Sequence, residues 1–65
     1  MFKMEFDTGN AAFRWDETEG YPEGALCTEE VSRILFEVSE RVRSGLLEGR
    51  LYDINGNRVG EYSCE

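Results

Sequence analysis

The chain has no histidine and a single lysine, Lys3, so the side chains that most often move protons or form Schiff bases are missing or confined to one position. Without an imidazole, Cys27 and Cys64 have no base partner for nucleophilic catalysis. They also lack the Cys-x-x-Cys spacing of a zinc or redox site. Both read as reduced thiols. No apolar run approaches the roughly 20 residues of a membrane helix, and no charged-then-apolar leader opens the chain. Gly9, Gly56 and Gly60 do not precede helices, so no phosphate-binding loop is formed. At 65 residues, a domain buries only about 60% of its unfolded surface, which leaves little room for a deep cleft. These absences predict a non-enzyme with no catalytic residue, metal or cofactor, in the cytoplasm of a bacterial host.

Positive charge is also scarce: 7 basic against 14 acidic residues give a net charge of -7. Residues 1–30 hold Glu5, Asp7, Asp16, Glu17, Glu19, Glu23, Glu29 and Glu30 against Lys3 and Arg14, while the remainder is nearly balanced. Such a surface repels phosphate backbones and attracts basic protein patches, so direct nucleic-acid binding is not expected. Asp16, Glu17, Glu19 and Glu23 lack the spacing and turn glycine of a calcium loop and read as a solvated acidic run.

Phe2, Met4 and Phe6 alternate with Lys3, Glu5 and Asp7, the period of a half-buried strand over about 2–7. Residues 8–27 are rich in glycine and acids and predict a long acidic loop. Val31, Ile34, Leu35, Val38 and Val42 form an apolar stripe on a helix over about 29–44. Thr28 is its expected cap, Gly45 its left-handed terminus, and Leu46 the residue that returns to the core. A hairpin over about 48–63 completes one small α+β domain. The β-α-β-β order predicts a three-stranded mixed sheet, order 1-3-2, packed on one helix, because strand three can pair antiparallel with both parallel outer strands.

The hairpin turn admits two registers. A bulged three-residue loop, Ile54-Asn55-Gly56, uses Asp53 as a backbone acceptor and sets Asp53 opposite Asn57, Tyr52 opposite Arg58, Leu51 opposite Val59 and Glu48 opposite Tyr62. A two-residue turn at Asn55-Gly56 sets Tyr52 opposite Val59 and Arg50 opposite Glu61. The first is the better fit, since it gathers Leu47, Leu51 and Val59 on the core face. It leaves Arg50, Tyr52, Arg58 and Tyr62 on the open face.

Asn10-Ala11-Ala12-Phe13 after the first strand, Arg33-Ile34-Leu35 in the helix and Asp53-Ile54-Asn55-Gly56-Asn57-Arg58-Val59-Gly60 in the hairpin together resemble small uncharacterised proteins carried by bacterial phages, plasmids and integrative elements. The resemblance spans most of the chain and implies a cytosolic accessory protein of a mobile element. It supplies no catalytic residues. The chain departs from that pattern in its longer acidic insertion, Arg14 to Glu23.

Two functional expectations follow. One is a protein-binding accessory protein, in its sharper form an anti-CRISPR type inhibitor of a host defence nucleoprotein complex. There Asp16, Glu17, Glu19 and Glu23 imitate phosphate charge in a basic channel, and Trp15 and Tyr21 serve as anchors. The other is a sponge for a small ligand or signalling nucleotide at an oligomer interface, built from Arg50, Tyr52, Arg58 and Tyr62. The bland alternative is a domain that only self-associates. Exposed edge strands in so short a sheet make a homodimer the expected assembly.

Overall fold

The computed structural model describes residues 1–15 and 24–65. In chain order these form β1 (Phe2–Phe6), a short 3-10 helix (Ala11–Phe13), α1 (Thr28–Arg43), β2 (Glu48–Tyr52) and β3 (Arg58–Cys64). The sheet is open with order β1-β3-β2, and both ladders are antiparallel, so the outer strands run parallel without touching. The expected architecture is present. Among the described residues no helix is long and apolar enough to cross a membrane.

The helix forms where the apolar stripe predicts it. Ile34 and Val38 are buried and Val31 and Val42 pack beside them, whereas Leu35 lies at the stripe's edge and is half exposed. Its start is one residue earlier than expected, with Cys27 as the cap and no side-chain cap bond; Thr28 is already helical. Glu29 and Glu30 in the first turn and Arg41 and Arg43 in the last complement the helix dipole. At the other end Gly45 adopts φ 100°. The Leu46 amide bonds the Arg41 carbonyl (2.9 Å) and the Gly45 amide bonds the Val42 carbonyl (3.0 Å), the two bonds of a Schellman terminus. Leu46 does not return to the core. Its side chain is exposed, and its carbonyl accepts the Tyr62 hydroxyl at 2.9 Å.

The hairpin turn is the bulged loop. The Asp53 amide bonds the Asn57 carbonyl (2.9 Å), the Gly56 amide bonds the Asp53 carbonyl (3.0 Å), and Gly56 takes φ 84°. Tyr52 stands opposite Arg58 as expected, but the register then shifts: Leu51 faces Gly60, Arg50 faces Glu61 and Gly49 faces Tyr62. Val59 is the extra residue of a β-bulge, a device that turns every later side chain to the opposite face. Tyr62 therefore points into the core, where it is 2% exposed. Its ring lies so close over Gly49 that a β-carbon there would meet ring atoms at 2.8 Å.

The core is Phe13, Ile34, Val38, Leu51 and Tyr62, with Met4, Phe6 and Val59 packed against it. Full burial of each large apolar side chain contributes roughly 1.5–3 kcal/mol before the entropy of ordering is set against it. Leu47, expected in the core, is 52% exposed; it stands before the first residue of β2, Glu48, and is not among the residues packed against the core. Phe13 belongs to the stretch expected to be loop, yet its side chain is fully buried, with its ring centroid 5.9 Å from that of Phe6.

Candidate functional site

Residues 8–27 are more organised than a loop. Asn10 accepts the Ala12 amide on its side-chain oxygen (3.0 Å) and so starts the 3-10 helix that drives Phe13 into the core. Beyond it the chain pairs with its own return. The Cys27 amide bonds the Phe13 carbonyl (2.7 Å), the Trp15 amide the Ala25 carbonyl (2.9 Å) and the Gly24 amide the Trp15 carbonyl (3.0 Å). Arg14 and Leu26 form the antiparallel bridge between them. This stem pins together the two ends of the acidic segment. Asp16, Glu17, Glu19, Tyr21 and Glu23 themselves lie outside the described residues. Trp15, half-buried, is the one expected anchor within them.

Three distant segments, around Asn10, Glu30 and Asp53, meet in one polar lock. Asp53, 4% exposed, accepts the Asn55 and Asn57 amides on Oδ1 (both 2.9 Å). Its Oδ2 accepts Nδ2 of Asn57 (3.2 Å) and Nδ2 of Asn10 (2.7 Å). Glu30, 5% exposed, accepts the Ile54 amide on Oε2 (2.8 Å) and Nε of Arg33 on Oε1. Arg33 then donates to the Tyr52 carbonyl at 3.1 Å. Every buried side-chain polar atom among the described residues has a partner, as a buried network requires. Burial opposes ionisation of Asp53, but the Asn57 amide and side chain, the Asn10 side chain and the Asn55 amide together hold its carboxyl below the usual value. The hydrogen bond to Glu30 raises Arg33 despite the opposing effect of burial, and the charges of Glu30, Glu37 and Asp53 raise it further.

This lock makes acid stability a test of Asp53. A carboxyl depressed by folding stabilises the fold fully above its unfolded value near 3.8, and the stabilisation fades as pH falls through the folded value. Asp53→Asn keeps one acceptor but turns an amide nitrogen toward donors. The variant is expected to be clearly less stable than the parent at pH 7, with the gap in urea midpoint closing as pH falls from about 5 to below 3. A gap of equal size at both ends of that range contradicts the assignment.

The open face of the sheet carries the rows Lys3–Ser63–Glu48 and Glu5–Glu61–Arg50, followed by Tyr52 opposite Arg58. A depression of about 890 Å³ lies over the first two rows, lined by Lys3, Glu5, Glu48, Arg50, Glu61 and Ser63 among others, and does not reach Tyr52 or Arg58. Arg58 is held by Glu61 at 3.2 Å. The four residues expected to share this face do not: Arg50, Tyr52 and Arg58 lie along it, and Tyr62 is on the other side. The bulge at Val59, which no periodicity in the sequence signals, is the reason. Among the described residues no cluster of three or more acids and thiols is placed to hold a metal ion.

The chain matches no family model, and no curated protein or solved structure matches it either. Its site must therefore be judged on its own geometry. Sequence reasoning missed Asn10 as the donor to Asp53 and Glu30 as the acceptor of the Ile54 amide, because each serves a partner far away in the chain. The only available signal was that both are polar residues beside apolar runs.

Proposed function

We propose that this chain is a non-catalytic, protein-binding accessory protein of the mobile-element kind its motifs resemble, and that the acidic segment between Trp15 and Gly24 engages a basic protein surface. The observation that supports this reading most directly is the closed stem. A segment of eight residues with four carboxylates and no basic side chain has its ends joined by a 3.0 Å backbone bond. With its two flanks held side by side at the stem, the run offers its carboxylates to a basic partner from a fixed point of attachment. The basic nucleic-acid channel of a host defence complex of the CRISPR type is the surface such a segment fits best, since phosphate is what that channel is built to attract. Arg33, Glu30, Asn10 and Asp53 are committed to holding the scaffold and take no part in binding. The small-ligand reading loses one of its two rings to the core and is the weaker one.

The test is a tagged pull-down from host lysate, with and without nuclease, comparing the parent with a variant carrying Asp16→Asn, Glu17→Gln, Glu19→Gln and Glu23→Gln. A stoichiometric nucleic-acid-binding complex is expected with the parent, released by salt and lost with the variant. Capture by both to the same extent removes the acidic segment from the mechanism.

A further inference from the structure

The two edges of the sheet are treated differently. On β2 the register places the Arg50 and Tyr52 carbonyls outward, and both are taken by helix arginines: Nη1 of Arg41 donates to the Arg50 carbonyl at 3.0 Å and Nη2 of Arg33 to that of Tyr52 at 3.1 Å. On β1 the bonds to β3 leave from alternate residues. Asp7 donates to the Val59 carbonyl at 2.8 Å, Lys3 faces Ser63, Glu5 faces Glu61, and Met1 and Glu65 exchange both bonds. By the two-residue period of a strand, the backbone groups of Phe2, Met4 and Phe6 point to the free edge. No described residue pairs with them.

We propose that this edge is occupied by β1 of a second copy, antiparallel about a two-fold axis through Met4, giving a continuous six-stranded sheet. Charge and face select the register. Only pairings among Phe2, Met4 and Phe6 join outward backbone groups and keep the apolar side chains on the helix-bearing face. Centring on Lys3 sets two lysines against each other, and centring on Glu5 sets two glutamates together, which is destabilising. Centring on Met4 uses the whole strand. Phe2 faces the partner's Phe6, Met4 faces the partner's Met4, and Lys3 faces the partner's Glu5 twice over on the open face. Three residue pairs then exchange backbone bonds. The exposed Phe2 and Met1 gain cover beside the partner's Phe6, which the isolated chain does not give them.

The self-complementarity of Lys3 and Glu5 supplies the test, and both side chains are exposed, so their replacement leaves the fold intact. Sedimentation equilibrium of the parent should give twice the 7.5 kDa chain mass. Lys3→Glu and Glu5→Lys each set like charges opposite each other across the axis and are expected to weaken association about tenfold or more. The double exchange, Lys3→Glu with Glu5→Lys, should restore it. So should an equimolar mixture of the two single variants, since each then faces its complement. Circular dichroism confirms that each variant is folded. A folded parent that stays monomeric at millimolar concentration overturns the proposal, as does a dimer whose strength ignores all three variants. A monomer that instead takes up an extended peptide of another protein along β1 also overturns it.

Discussion

Gly60→Ala is expected to leave the domain largely unfolded at room temperature. Gly60 sits in β3 immediately after the bulge, opposite Phe6 of β1. A β-carbon built there falls on the Glu5 carbonyl oxygen and within 2.5 Å of Cα and 2.6 Å of Cβ of Phe6. Two of those three atoms are backbone of the paired strand, so no change of side-chain rotamer relieves the contact, and β1 has to move away from β3. Overpacking of an ordinary core costs about 1–3 kcal/mol where side chains can adjust. The cost here should be at least about 3 kcal/mol, against a total of roughly 3–10 kcal/mol for a chain of this length. Far-UV circular dichroism during a thermal melt measures it. An unchanged midpoint contradicts the close approach of the strands.

Phe13→Ala should cost about 3–5 kcal/mol, the usual range for emptying a fully buried aromatic site. The ring joins two layers: it lies against Phe6 of β1 and belongs to the cluster with Ile34, Val38, Leu51 and Tyr62. Its own carbonyl accepts the first bond of the stem, from Cys27. Loss of the ring therefore loosens the acidic segment's anchorage along with the core. Phe13→Leu keeps part of the volume and is expected to fall between alanine and the parent in urea midpoint. A loss under about 1 kcal/mol with alanine places the ring outside the core, since fully buried aromatics do not behave that way.

These two residues also mark where the sequence was hard to read. Alternation in Phe2, Met4 and Phe6, the stripe of Val31, Ile34, Val38 and Val42, the Asp53 turn and the Gly45 terminus all follow from short-range rules, and each element stands within a residue of its expected place. The bulge at Val59 does not follow from any period. It adds one residue to one strand, and the lack of a side chain at Gly60 was its only sign in the sequence. That single insertion moved Tyr62 from the open face to the core and divided the expected Arg50, Tyr52, Arg58 and Tyr62 cluster. Phe13 was hidden for a different reason, because a 3-10 turn of three residues is too short to show an apolar rhythm. The expected anchors Tyr21 and the four carboxylates remain readings of the sequence, whereas Trp15 is held through its backbone at the mouth of the stem. The three segments around Asn10, Arg33 and Asp53, far apart in the chain, converge on one hydrogen-bonded knot.

The arginines laid along β2 limit how the protein can grow. A chain with one available side and one occupied side can be joined only once, so any assembly through β1 ends as soon as it has formed. Raising the concentration then yields more pairs and no longer ribbons, which protects an acidic protein of this size from becoming fibrous. Removing Arg33 and Arg41 together gives the chain a second point of attachment, and with it the capacity to polymerise.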